Sequence, residues 1–214
     1  MSNVQNSETK QSRRRFIKRT GTASLLAALP STAAWGNGLL AGSIVASGHG
    51  SDYSGGSDIA ILSPGKWKNQ AFPWPNLNPD ATFFSVFGGV PFGLLKDSDG
   101  NTLSQLQLEQ IKCIDILRNP GGNGTGNNDK LGGPSNVNKF LVQTYLNAVH
   151  HGLSFGGELI NFPVIQTRLS MMDDARGLFA SDAAFADYLY GLASNGNEGA
   201  LGAELSAFLN ANHA

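Results

Sequence analysis

The chain is short of cysteine, of charge and of long apolar runs, and each shortage closes off a class of function. Cys113 is the only cysteine among 214 residues. A single thiol makes no internal disulfide, cannot alone ligate an iron–sulfur cluster and cannot form the paired attachment of a c-type haem. At an apolar position of a helical pattern, Cys113 reads as a buried, inert thiol. Charged residues make up only 14% of the sequence, so a soluble surface must lean on neutral polar groups. Several signatures are missing as well: a Walker loop, a Gly-x-Gly-x-x-Gly after a strand, a nucleophile elbow and a His-Glu-x-x-His helix. The glycine-rich stretch 121–133 lacks the Lys-Ser/Thr that would hold a phosphate and magnesium. No bound cofactor is expected.

What charge there is sits unevenly. Six of the 15 basic residues, Lys10, Arg13, Arg14, Arg15, Lys18 and Arg19, fall in the first 20 positions, against one acidic residue, Glu8. The remainder carries 9 basic and 15 acidic residues, a net charge of −6. Such a chain is not expected to bind nucleic acid or anionic membrane as its main partner. The segment Ser12-Arg13-Arg14-Arg15-Phe16-Ile17-Lys18 resembles the consensus of twin-arginine (Tat) export signals at every position. An address of this kind is read by a receptor, through the order of residue types. A short apolar stretch, Thr22 to Leu29, follows and is broken by Pro30. It falls well below the ~20 residues of a membrane span. The small residues Ser31-Thr32-Ala33-Ala34 then offer a cleavage site after Ala33 or Ala34. The resemblance implies a signal peptide over 1–34, a single mature domain over 35–214, the Tat translocase as a partner and a periplasmic location without a stable membrane span. Tat cargo crosses folded, often with a cofactor or in company with a partner.

Two halves of the mature chain differ in character. Residues 36–100 hold Pro64, Pro73, Pro75, Pro79 and Pro91, two Gly pairs, Trp67 and Trp74. The short apolar runs Asp58 to Leu62 and Thr82 to Phe87 read there as short strands or buried extended segments between breakers. Phe72-Pro73-Trp74-Pro75 cannot be regular helix, because each Pro disfavours helical geometry in the residue before it. From Asn101 the period becomes helical. Leu103, Leu106, Ile111, Ile114 and Leu117 form one stripe, stopped by Asn119-Pro120-Gly121-Gly122. A second helix runs from about Asn136 to His151, with Ser135 as its cap, Gly152 as its end, and Val137, Phe140, Leu141, Leu146 and Val149 inward. A third starts near Pro163 and ends at Gly177. Ser181 caps a fourth through Phe185, Leu189 and Leu192, and a fifth spans Glu198 to about Asn210. The expected fold is mainly α: about five helices in 101–214 after an irregular Pro/Gly/aromatic-rich region with short strands, which leaves α+β open.

The chemistry-bearing residues form few constellations. Asp97, Asp99 and Asn101 match the first, third and fifth ligand positions of an EF-hand loop. The sixth position should be Gly and is Thr102; the twelfth should be Glu and is Leu108, with Glu109 one place late. A polar turn ahead of a helix is the expectation. His150-His151 closes a helix, where cations are favoured, and Asp173-Asp174 reads as solvated. No metal set and no catalytic set is expected. Trp67, Phe72, Trp74, Phe83, Phe84, Phe87 and Phe92 make 67–92 rich in aromatics. Such residues serve either a core or a docking face, and as a partner surface the candidates are Trp67, Phe72, Trp74 and Phe92.

Two mature segments resemble known families. Leu103-Ser104 followed by Gln107, Glu109 and Gln110, a loop to Pro134, then Val137 and Phe140, is similar to the small Tat-exported subunit 3 family of gluconate 2-dehydrogenase-type enzymes. Asp115 and Pro120 stand near that family's aspartate and proline, while its acidic partner in the second helix is Asn or Lys here. The resemblance implies a non-catalytic accessory subunit that carries a larger flavoprotein catalytic subunit through export and docks it. Ala81-Thr82-Phe83-Phe84 through Val90-Pro91-Phe92-Gly93-Leu94 resembles a cleft-lining segment of TRAP-transporter solute-binding proteins, interrupted by a Gly pair. It implies, as the alternative, a TRAP-type periplasmic solute-binding protein fragment; a stand-alone periplasmic protein is the remaining reading.

Replacing both Arg13 and Arg14 by Lys should leave the precursor in the cytoplasm, as read by fractionation and immunoblotting. Arg15 can substitute for one of the pair, so single replacements should export. Normal export of the double variant would overturn the Tat reading.

Overall fold

The computed structural model describes residues 59–97, 99–119, 121, 131–168, 178–194 and 196–212. All lie within one unit, Gly38–Ala214. The leader motif at 12–18 and the cleavage residues Ala33 and Ala34 lie outside the described residues. The fold is mainly α, about half helical. Among the described residues there are seven α-helices: α1 Pro64–Asn69, α2 Phe83–Phe87, α3 Gln105–Glu109, α4 Cys113–Arg118, α5 Val137–Val149, α6 Asp182–Ala193 and α7 Glu198–Ala211. The sheet content is one hairpin, β1 Ser154–Phe155 with β2 Glu158–Leu159. Its turn is Gly156-Gly157, with φ of 61° and 89°, the left-handed backbone that two-residue hairpin turns require.

Helix α5 is the centre. Of its 13 residues all but Lys139 are buried. A helix buried on nearly every face is stable only when other elements enclose it and meet its polar groups. Here α1, α4, α6 and α7 all pack on it. Its apolar residues Val137, Leu141, Val142, Leu146 and Val149 are fully enclosed, together with Phe162, Phe185, Leu189 and Leu205 from the surrounding elements. The approach of α7 is close. A Cβ on Gly202 would lie 2.8 Å from the Ser135 carbonyl oxygen, so only glycine fits there.

That close approach changes the start of α5. Ser135 is not its cap. Pro134–Asn136 form a 3₁₀ turn, Ser135 and Asn136 have φ of 49° and 60°, and Asn136 takes the N-cap position without a side-chain bond. The packing against α7 overrides the local capping preference. The ends of α6 and α7 follow the sequence pattern: Ser181 Oγ accepts the Ala184 N–H at 3.2 Å, and α7 begins at Glu198.

Two further expectations fail, each for its own reason. Thr82 to Phe87 is not a strand. Thr82 Oγ1 accepts the Ser85 N–H at 3.0 Å, and Gly88 closes the turn at φ 72°, making α2 with Phe83 and Phe87 buried. The single helix expected after Asn101 is two, α3 and α4, broken at Gln110 to Lys112. The backbone there has other partners. Phe83 N donates to Ile111 O at 2.8 Å, and Cys113 N donates to Ala81 O at 3.0 Å. Long-range backbone bonds thus interrupt a helix whose side chains have helical spacing. One consequence is that Leu106, expected inward, is 70% exposed. The helix expected from Pro163 begins only as a 3₁₀ turn, Gln166–Arg168, after a bridge between Ile165 and Phe179. The rest of that expectation, with Asp173-Asp174, falls at 169–177, outside the described residues.

Residues 60–62 are extended, as expected, but pair with loops. Ala60 bridges Asn161, and Ile61 N donates to Asn212 O at 3.2 Å, at the end of α7. Leu62 is gripped by α5. Asn147 Oδ1 accepts its N–H at 2.7 Å, and its carbonyl accepts from Asn147 Nδ2 at 3.2 Å and Gln143 Nε2 at 3.0 Å.

Asn147→Ala should therefore lower stability by about 1–3 kcal/mol, the usual penalty for a buried group left unmet. The Leu62 carbonyl keeps Gln143, but its N–H loses the Asn147 acceptor. Urea unfolding measures this, with Leu106→Ala as a surface control within about 0.5 kcal/mol. Equal stabilities would remove the clamp from the account.

Candidate functional site

The groups with reactive chemistry are mostly buried and internally bonded. Cys113 is fully buried, and burial pushes its thiol up to about 12, so it holds its proton at neutral pH. Burial, with the nearby Asp182 carboxylate, pushes the Tyr145 phenol up to about 12. Arg168 pairs with Asp182 through two contacts, one from Nε to Oδ1 at 3.0 Å. Asp182 also sits in the first turn of α6, where a carboxylate faces the positive end of the helix dipole.

His150 is not a solvated cation at the end of α5. It is fully buried, with its ring centroid 4.9 Å from Trp67 and 6.1 Å from Phe155. Nδ1 lies 2.8 Å from the Leu146 carbonyl, and Nε2 accepts the Asn76 N–H at 3.2 Å. A carbonyl can only accept and a backbone N–H can only donate, so the ring is neutral with its proton on Nδ1. Burial accordingly lowers its pKa from 6.5 to about 4. Asn76 adds a second link, donating through Nδ2 to Val149 O at 2.7 Å. His151 points elsewhere, its Nδ1 accepting the Phe162 N–H at 3.2 Å. The two histidines thus tie different segments to the helix end. No group of three or more His, Cys, Asp or Glu able to hold a metal occurs among the described residues.

The Asp97–Asn101 segment is a closed turn. Asp97 Oδ1 accepts the Asp99 and Asn101 N–H groups at 3.0 and 2.8 Å, and Oδ2 accepts from Asn101 Nδ2 at 3.3 Å. The bond from the Asn101 backbone is the main reason the Asp97 pKa is lowered. Its carboxylate thus already serves donors of its own loop, and the side chain of Asn101, a candidate ligand, is turned onto Asp97.

The aromatic candidates divide. Trp67 and Trp74 are 0% and 3% exposed, and Trp74 Nε1 donates to Trp67 O at 3.0 Å. Both belong to the core, so neither presents the partner surface suggested for them. Flat apolar rings next to α5 are covered because the helix needs enclosing on this side too. Phe72 and Phe92 are half-buried: Phe72 meets the edge of Trp74 at 5.5 Å, and Phe92 lies 4.7 Å from the Tyr190 ring.

An open groove of about 600 Å³ lies instead over α3 and the start of α4. Leu103, Leu106, Ile111 and Leu131 provide its apolar lining, with Gln107, Gln110, Asp115 and Asn119 among its polar groups. Leu103, Gln107, Gln110 and Asp115 are among the residues on which the sequence-based expectation of a subunit 3 type protein rests. Sequence reading placed Leu106 inside; the helix break at Gln110 to Lys112 turns it out.

A further set of residues escaped the sequence reading: the buried amides of α5. Asn138 Oδ1 accepts the Phe92 N–H at 2.8 Å, while Nδ2 donates to Phe92 O at 2.9 Å and Leu131 O at 3.0 Å. Asn147 and Gln143 treat Leu62 in the same way. The available signal was a helix apolar on several faces whose remaining positions are amides rather than charges, with Lys139 its only charged residue.

No family, no curated protein and no solved structure matches this chain.

The neutral state of His150 has a pH signature. The unfolded imidazole binds its proton below about 6.5 and the folded one only below about 4, so the unfolded chain takes up more protons between them. Stability therefore falls as pH drops through that window, by about 2 kcal/mol from this residue between about pH 7.5 and pH 5. Urea unfolding at the two pH values should show the loss, and His150→Gln should flatten it. An equal slope in the variant would overturn the assignment.

Proposed function

We propose that this chain is an exported, non-catalytic accessory subunit of a periplasmic oxidoreductase complex, giving Tat export and a docking surface to a larger flavoprotein-type subunit. One observation carries the reading most. The segment that resembles the subunit 3 family lines an open groove with an apolar floor and a rim of amides and charged groups, among them Gln107, Gln110 and Asp115. Interfaces of this make, with an apolar centre and a polar rim, suit a partner surface. The state of the reactive groups supports the same reading. Cys113 and His150 are fully buried, and His150 and Arg168 are each committed to internal partners. The leader motif supplies the export half of the proposal.

The solute-binding alternative draws less from the geometry. In the segment that resembles a ligand cleft, Phe83 and Phe87 are 0% and 1% exposed and stack on each other at 4.4 Å. Those rings are core.

Purification of the tagged chain from its native host tests the proposal. The expected result is stoichiometric co-purification of a larger subunit with flavin absorbance. Leu106→Asp should weaken that assembly by about 2 kcal/mol if Leu106 is a central anchor. The isolated chain should unfold as before, because Leu106 is 70% exposed. A monomer that elutes alone, with hydrolase or ligand-binding activity of its own, would sink the accessory reading.

A further inference from the structure

The stretch 75–80 is tied to the end of α5 through Asn76. Its N–H donates to His150 Nε2 at 3.2 Å and its Nδ2 to Val149 O at 2.7 Å. Both ends of the stretch are held without that residue. Trp74, 3% exposed, donates through Nε1 to Trp67 O at 3.0 Å. Asp80 pairs with Lys112, and Ala81 O accepts the Cys113 N–H at 3.0 Å. Between these anchors Pro75, Asn76 and Asn78 are exposed, and Asn78 bonds Asp80 and Ala81. The stretch is a strap, fixed at its ends and fastened in the middle by Asn76.

That fastening depends on one lone pair. Nε2 accepts the Asn76 N–H only while it carries no proton of its own. A protonated ring sets N–H against N–H, and Nδ1 gives no relief because it already donates to Leu146 O at 2.8 Å. From this geometry we infer that residues 75–80 form an acid-released latch: a proton on His150 Nε2 expels the Asn76 N–H and frees the strap from α5, while Trp74 and Ala81 stay in place.

The charges on the surrounding elements do not hold the cation in place. Lys66 of α1 pairs with Glu158 of β2, on either side of the Trp67 and Phe155 rings that flank the imidazole. Lys68, also on α1, adds positive charge. Arg168 and Asp182 pair with each other and act on the ring with opposite signs. The strap's own carboxylate, Asp80, is turned to Lys112, and His151 bonds the Phe162 N–H. An imidazolium in this place gains most by meeting water, and lifting the strap admits it. Opening therefore takes up a proton. The enclosed ring binds one only below about 4, and a ring in water below about 6.5. Opening is thus favoured as pH falls, about tenfold per pH unit between those values, and is independent of pH above them. The latch stands apart from the groove and from the accessory role.

Hydrogen exchange of the full chain, read at single amides by NMR and divided by the intrinsic rate, tests the inference. The Asn76 amide should open at least about a hundredfold more often than amides in the middle of α5, which report whole-chain unfolding. Its opening should rise about tenfold per pH unit from pH 6 to pH 4.5. Asn76→Ala keeps the backbone bond to His150 and loses the one to Val149, so opening should rise about fivefold with the same slope. His150→Gln should abolish the slope. Exchange of Asn76 at the same rate as α5, or a wild-type rate independent of pH, would overturn the latch. So would a slope that survives in the folded glutamine variant. The wild-type and Asn76→Ala measurements decide the matter if that variant does not fold.

Discussion

The fold depends on one device: carboxamide side chains of a buried helix serving as backbone partners for segments that have no sheet to join. Extended chain entering a core brings N–H and C=O groups that must be paired. In a sheet the neighbouring strand meets both. Here Asn147 meets both polar groups of Leu62, and Asn138 meets both of Phe92. Gln143 adds a bond to Leu62, and Asn76 returns the arrangement by bonding Val149. An amide can do this because it carries a donor and an acceptor side by side, as a peptide does. Irregular, proline-rich chain can therefore lie against α5 without the ladder its prolines would break.

The same device explains why the helical half was more legible than the first. Helices α6 and α7 are set by local rules: Ser181 caps the first, and Phe185, Leu189 and Leu192 recur at helical spacing and are buried. The inward residues read for α5, from Val137 to Val149, are buried as their period requires. The break between α3 and α4 is not local. It follows from backbone bonds to Ala81 and Phe83, some thirty positions earlier in the chain, and side-chain period says nothing about backbone partners. Thr82 to Phe87 misled for the opposite reason. An apolar run of that length fits strand or helix, and the flanking Pro and Gly breakers pointed to extended chain, whereas Thr82 as cap and Gly88 as stop decide for helix.

The candidate groove was half legible. Leu103, Gln107, Gln110 and Asp115 stood out through a resemblance, but nothing in the period indicated that Leu106 would face out. His150 stood out as a paired histidine at a helix end, and the dipole argument favoured its cation. Burial beside Trp67 decides otherwise, since desolvation outweighs a terminal dipole of order 0.3–1 kcal/mol.

The bond from Ile61 to Asn212 sets an order of events on biosynthesis. The segment at 60–62 leaves the ribosome long before α7 exists, and its clamp on α5 is also unborn. Its backbone must wait in water until nearly everything after it has been made. Closure is thus a late, whole-chain step with high contact order, the slow kind of contact to form. A chain threaded across a membrane during synthesis would make that closure on the far side. A chain carried across already folded would make it before departure, and the compartment where residues 60–62 first become protected from solvent exchange tells the two routes apart.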